Sequence, residues 1–176
     1  MVLRKAKTGD VAEMVELIDV YAKQGLMLPR TRSSLYESLR DFTVAEYGGK
    51  IVGVAGLCIL WDDLAEVRSL AVAPSWRGHG IGKQLVRQLV GEAAGLNLTR
   101  VFALTYQVKF FSDLDFQIVG KETLPQKVWK DCVHCPKFAA CDEIAVITYV
   151  GGVKSGIDDT VTSTETSTFG VPLALR

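Results

Sequence analysis

Apolar residues at Val11, Met14, Val15, Leu17, Ile18 and Tyr21 fall three and four apart, so residues 10 to 23 predict a helix with one buried face. Val2 to Lys5 is a short strand candidate ahead of it, ended by Lys7-Thr8-Gly9-Asp10, whose side chains offer an N-cap; Gly25 closes the helix. Leu26 to Arg30 is an apolar loop with a charge at its end. A second helix starts over Thr31 to Leu35, with Leu35, Leu39 and Phe42 directed inward. The period then changes. Phe42 to Tyr47, the turn Gly48-Gly49-Lys50 and Ile51 to Leu57 read as a β-hairpin by turn chemistry and β-rich composition. Trp61 to Leu64 turns the chain into a strand over Glu66 to Val72. A turn from Ala73 to His79 and an amphipathic helix running to Leu89 follow, its pattern loosened at the end by Gly91 and Gly95. Val101 to Thr105 is a compact apolar strand, and Glu143 to Val150 supplies a last one.

Composition narrows the class. With 176 residues the chain suits one domain, and 48% apolar with 23% charged residues is the balance of a soluble globular protein. From Gly151 the composition shifts to Ser, Thr, Gly and Asp with few large apolar residues before Phe169. The expectation is a domain over residues 1–150 and a mobile or loosely attached tail over 151–176, which cannot offset its own ordering entropy. Lys+Arg 20 balances Asp+Glu 20, leaving no basic field to hold nucleic acid. No window approaches the roughly 18 consecutive apolar residues of a membrane span, and Met1 to Lys5 lacks a signal-peptide run. The expected location is the cytoplasm, with no membrane partner and the cysteines reduced.

Between the strand at Glu66 to Val72 and the following helix stands Arg77-Gly78-His79-Gly80-Ile81-Gly82. Glycines let another molecule approach the backbone, and the first N–H groups of a helix have no partner inside it. With the helix dipole and the Arg77 charge, they form a cradle for phosphate or diphosphate. A Walker loop would need Lys-Ser or Lys-Thr after its last glycine, and here Lys83-Gln84 follows Gly82. A dinucleotide fingerprint would need G-x-G-x-x-G, which the spacing does not give.

The order of strand, Pro74, Arg77, alternate glycines and helix instead resembles motif A of the GCN5-related N-acetyltransferases (GNAT), whose loop amides hold the diphosphate of coenzyme A. The resemblance implies an α/β (α+β) fold with a mixed, largely antiparallel sheet splayed after its central strand and flanked by helices. It implies acetyl-CoA as co-substrate, with Leu70, Ala71 and Val72 beside the pantetheine arm and Arg77, Gly78, His79, Gly80, Ile81 and Gly82 around the phosphates. Lys109 to Phe116 resembles the family's closing helix, with Asp115 where glycine is usual. Leu28-Pro29-Arg30-Thr31, Asp41 to Glu46, Ala65 to Val72, Phe102 to Thr105, and Leu124-Pro125 with Lys130-Asp131 resemble N-acetylglutamate synthases of the short, stand-alone kind. That narrower likeness covers roughly residues 1 to 150 and implies glutamate, or a related amino acid, as acceptor. Another amine is the alternative, and a non-catalytic acyl-CoA sensor is the rival from another class. Relatives commonly dimerise, and a homodimer is expected on that ground alone.

Within this likeness Arg30 is the carboxylate ligand, because a guanidinium fork makes two charge-assisted bonds. Thr105 meets the substrate, and Lys127 and Lys130 are candidates for a second carboxylate. Some synthases carry lysine at the position of Cys58, a departure that bears on strict glutamate specificity. Glu66 is the expected general base, since an ammonium must lose a proton before it attacks a thioester. The alternative leaves Glu66 exposed or paired with Arg68. A backbone N–H near Val72 is placed to stabilise the oxyanion. Where relatives have a tyrosine to protonate the leaving thiolate this chain has Phe111; Tyr106 is either the substitute or a structural tyrosine, and solvent is the other source. Cys132-x-x-Cys135-x5-Cys141 with His134 could be reduced structural thiols, zinc ligands or a redox pair. The reading assigns no metal.

Overall fold

A computed structural model describes residues 1–124, 127, 132–135 and 137–152. The expected mobile tail falls almost wholly outside these residues, as does Lys130. Among the described residues, seven strands form one mixed sheet in the order β1-β2-β3-β4-β5-β7-β6. They are β1 (Val2–Lys5), β2 (Phe42–Tyr47), β3 (Lys50–Ile59), β4 (Leu64–Val72), β5 (Arg100–Thr105), β6 (Gln117–Val119) and β7 (Ile144–Tyr149). The helices are α1 (Val11–Ala22), α2 (Arg32–Glu37), α3 (Ile81–Gly95) and α4 (Val108–Ser112).

The expected hairpin forms because Gly48 and Gly49 take positive φ values of 57° and 77°, the double left-handed turn that matches strand twist. Every neighbouring pair is antiparallel except β4 and β5, which run parallel. That parallel ladder is short: Leu64 pairs with Arg100, Ala65 with Val101 and Glu66 with Phe102, and there it stops. Beyond Glu66 the strands part, giving the splayed sheet that the resemblance implied.

Apolar faces close both sides of the sheet. On one, Ile81, Leu85 and Leu89 of α3 pack over Ala45, Val52, Val67 and Val101. On the other, Met14 and Ile18 of α1 and Leu35 of α2 pack over Phe42, Val44, Val54 and Ala71. Gly53 permits the close seating of α3, since a Cβ there would lie 3.0 Å from Ile81 Cγ2 and 3.1 Å from Leu85 Cδ1.

Three local expectations are corrected. The second helix ends at Glu37 and does not reach Leu39 or Phe42, because a 3-10 turn over Leu39–Asp41 intervenes; Phe42 is fully buried from the expected strand start. Gly91 and Gly95 do not loosen α3, which runs unbroken to Gly95 with Leu89 and Ala93 anchored in the core. The closing helix spans Val108–Ser112 only, and Asp115, at φ 63°, turns the chain so that Phe116 returns to the core. Strand β6 then adds an edge that three residues of pattern did not announce.

Candidate active site

The parting of β4 from β5 opens a cleft of about 1040 Å³ that reaches from the glycine loop to the 3-10 turns over Cys132–His134 and Phe138–Ala140. At its loop end, Gly78 and Gly80 adopt left-handed φ values of 80° and 73°. Gly80 is the N-cap of α3, and the first helical turn closes when Gln84 N–H donates to the Gly80 carbonyl at 3.0 Å. The amides of Ile81, Gly82 and Lys83 precede that bond and have no acceptor inside the helix. A Cβ on Gly78 would meet nothing within 4 Å, so the space over the loop is open. These features fit a diphosphate.

Arg77 is held beside the loop rather than over it. Its Nε donates to Tyr21 Oη at 3.0 Å, and the guanidinium lies 5.0 Å from the Tyr21 ring centroid. Tyr21 Oη in turn donates to the Val72 carbonyl, tying α1 to the end of β4. His79 is exposed, with Nδ1 3.0 Å from the Arg77 carbonyl.

The middle of the cleft is shaped by a β-bulge. Val54 pairs with Ala71 and Gly56 with Arg68, so Ala55 on β3 opposes both Ser69 and Leu70. Ser69 takes φ 54°, an uncommon conformation for a side-chain-bearing residue in a strand. Arg30 Nε donates to Ser69 Oγ at 3.2 Å, drawing the α1–α2 loop over β4. Arg32 is exposed and lies outside the cleft lining.

Glu66 stands where the sheet divides and is only 4% exposed. Its Oε2 accepts from Lys127 Nζ at 2.8 Å, so two residues expected in different roles form one buried ion pair. Arg68 does not pair with Glu66; its Nη2 lies 3.2 Å from Asp41 Oδ2. Cys58 sits directly across the β3–β4 ladder from Glu66 and is also buried.

On the β5 side, Thr105 Oγ1 accepts the Gln107 N–H at 2.8 Å, capping the turn after the strand. Tyr106 Oη donates to Asp142 Oδ1 at 2.7 Å and receives Lys137 Nζ at 3.2 Å. The bond to Asp142 pushes the Tyr106 phenol up and holds the Asp142 carboxyl below its usual range. Lys137 also reaches the Gly25 carbonyl at 3.2 Å, joining this wall to the α1–α2 loop. Phe111 is buried and packs edge-on against Phe110 and Phe116.

Glu143, Lys121 and Ser69 line the cleft and were not singled out from sequence. Burial pushes the Glu143 carboxyl up, and the nearby Glu66 charge acts the same way. A glutamate just ahead of a strand carries no local signal of such a neighbour. Lys121 Nζ donates to the Cys141 carbonyl at 2.9 Å and to its Sγ at 3.3 Å. Among the described residues, no group of three or more His, Cys, Asp or Glu side chains is arranged to hold a metal ion. Nor is any helix among them long and apolar enough to cross a membrane.

Residues 12–116 match the model of the acetyltransferase (GNAT) family. An uncharacterized N-acetyltransferase of Chlorobaculum tepidum is 38% identical over 145 residues, covering 82% of this chain and 94% of that protein. An amino-acid acetyltransferase of Mycobacterium tuberculosis is 43% identical over 114 residues, 63% of this chain and 65% of its own length. Among solved structures, Mycobacterium tuberculosis Rv2747 in complex with CoA and NLQ aligns with a TM-score of 0.72 at 32% identity, covering 85% of this chain and 99% of that one. N-acetylglutamate synthase from Neisseria gonorrhoeae, complexed with coenzyme A and N-acetyl-glutamate, gives a TM-score of 0.77 at 26% identity, covering 85% of this chain and 35% of that one.

Proposed function

Because the chain belongs to the acetyltransferase (GNAT) family, whose co-substrate is acetyl-CoA, we propose that it transfers acetyl to the α-amine of glutamate or a related amino acid. One observation carries the reading: the cleft opened beyond Glu66 joins the glycine loop, the Arg30–Ser69 contact and a buried carboxylate in a single space. The amides from Gly78 to Gly82 hold the diphosphate, aided by the α3 dipole. The backbone of Leu70, Ala71 and Val72, on the side of β4 that β5 has left, receives the pantetheine amides.

Arg30 binds the acceptor's α-carboxylate, with Ser69 fixing the guanidinium. Glu66 takes the ammonium proton, directly or through one water, and the freed amine attacks without an acyl-enzyme. Lys127 keeps Glu66 in place from across the cleft. Cys58, the ladder partner of Glu66, carries no charge, so the ammonium beside this carboxylate comes from Lys127. Tyr106, whose bond to Asp142 favours the protonated phenol, returns a proton to the leaving sulfur, or water does so.

The resemblance of this chain to an amino-acid acetyltransferase and to a synthase solved with N-acetyl-glutamate supports an amino-acid acceptor in arginine biosynthesis. Phe111 favours the second reading, an acyl-CoA-binding protein without turnover, because its side chain has no proton to give. The test is free-thiol release from acetyl-CoA with L-glutamate, other amino acids, polyamines and peptide N-termini. Turnover highest with glutamate or a close relative is expected. Brisk turnover only with another amine would overturn the acceptor, and tight acetyl-CoA binding without any turnover would favour the sensor.

A further inference from the structure

The cysteine-bearing wall of the cleft has no part in the chemistry above. Cys132, Cys135 and Cys141 are all free and half-buried, and all three line the same space as Glu66 and Lys127. Cys132 opens the 3-10 turn over Cys132–His134, and Cys135 N–H donates to the Cys132 carbonyl at 3.0 Å. Cys132 and Cys135 thus stand at the two ends of a single turn, and both line the cleft. The turn brings the Cα atoms within about 7 Å, overlapping the ~4.4–6.8 Å that a disulfide spans.

The two ends of this turn reach different parts of the acceptor site. Cys132 lies close enough to Lys127 and Glu66 for their charges to act on it. Cys135 accepts the Phe138 N–H at 3.0 Å, beside Lys137, which bridges Tyr106 and the Gly25 carbonyl of the α1–α2 loop. A bond between the two sulfurs would therefore tie the segment beside Glu66 and Lys127 to the one beside Lys137 and Tyr106, while the glycine loop lies at the far end of the cleft.

We propose that Cys132 and Cys135 form a reversible dithiol–disulfide pair, oxidised by low-molecular-weight disulfides of the glutathione type, and that the oxidised form binds the amine acceptor poorly. The proposal rests on the reading of this end of the cleft as the acceptor site. The exchange begins at the Cys135 thiol. Its thiolate displaces one glutathione thiolate and forms a mixed disulfide. Cys132 then attacks the Cys135 sulfur, expelling the second glutathione, which leaves with the proton. Two protein thiols and one glutathione disulfide become one protein disulfide and two glutathiones. In a reducing compartment such a bond is transient, as a sensor requires.

The test uses the full chain, reduced and then exposed to excess oxidised glutathione. The expected result is loss of two of the four thiols, mapped by mass spectrometry to Cys132 and Cys135. The acceptor KM should rise several-fold while the acetyl-CoA KM stays unchanged, and dithiothreitol should reverse both changes in the protein. Cys132→Ser and Cys135→Ser should each lose the response, and Cys141→Ser should keep it. A stable glutathione adduct, a disulfide through Cys141, bound zinc in the purified chain, or a mapped disulfide with unchanged kinetics would each overturn the proposal. Thiol counting and mapping report on the pair whichever amine proves to be the acceptor, so failure of the glutamate assignment is seen separately.

Discussion

Removing Lys127 should expose how much the active-site carboxylate depends on a partner distant in sequence. The Lys127 and Glu66 side chains are 12% and 5% exposed with 2.8 Å between the charged atoms, so solvent screens the pair little. Lys127→Met leaves a buried carboxylate without its counter-charge, a loss of about 3–5 kcal/mol, whereas Glu66→Gln with Lys127→Met leaves no orphan charge and costs less. For a chain of this length each kcal/mol moves the midpoint by about 2–4 °C, which puts the single variant roughly 6–20 °C below the parent. Urea denaturation of the four proteins completes a double-mutant cycle and isolates the pairwise contribution from whatever else Lys127 touches. Kinetics add a second axis. Glu66→Gln should lose about 10²–10⁴ in rate at saturating acceptor whether or not Lys127 is present, because an amide cannot take the ammonium proton. A Lys127→Met protein within about 0.5 kcal/mol of the parent, or single effects that simply add, would refute the coupling.

Four further outcomes follow from other parts of the molecule. Arg4 hydrogen-bonds Asp10 through both Nη atoms and holds its carboxyl below the usual range, so this stabilisation is present above the unfolded carboxylate pKa and is lost as pH falls through the lower folded value. Asp10→Asn should cost about 1–2 kcal/mol near neutrality, and the gap to the parent should shrink below about pH 4 in urea melts. Gly80→Ala should weaken coenzyme A binding or stability by about 1–2 kcal/mol, because the cost is the left-handed backbone and not space; the nearest heavy atom to its Cβ is Gln84 Nε2 at 4.0 Å. By contrast Gly91→Ala, in open space within α3, should stabilise the chain by about 0.5–1 kcal/mol, and calorimetric titration with melting curves reads both. Arg30→Gln should raise the KM for glutamate by roughly 10–100-fold with little change for acetyl-CoA, since a bond to a charged group contributes about 1.5–3 kcal/mol.

What could be read from the residues was what short-range rules control. The double glycine at 48–49 forces a hairpin, the α1 periodicity finds its core, and Gly78, Gly80 and Gly82 mark a loop that must leave its amides uncovered. The strand from Phe42 to Tyr47 was read correctly, whereas the second helix was carried too far, because inward burial of Leu39 and Phe42 suits either element and only the 3-10 turn at Leu39–Asp41 decides between them. Gly91 and Gly95 cost α3 little against the burial of Leu89 and Ala93, so tertiary packing overrode propensity. In the site, the family likeness singled out Glu66, Arg30, Lys127 and Tyr106 one by one, but not the pairing of Glu66 with Lys127, nor Ser69 and Asp142 as partners of Arg30 and Tyr106. Lys127 meets Glu66 across 61 positions, Arg30 meets Ser69 across 39, and Tyr106 meets Asp142 across 36. No local spacing encodes such contacts; they exist because the sheet parts after Glu66 and segments from both earlier and later in the chain close over the gap.

A crystal structure with coenzyme A and glutamate bound together tests the central claim most directly. The account predicts the diphosphate on the amides of Gly78 to Gly82, the sulfur beside the parted edge of β4, the glutamate α-carboxylate on Arg30 and its nitrogen within one water of Glu66. A diphosphate bound elsewhere, with those amides facing solvent or protein, would contradict it.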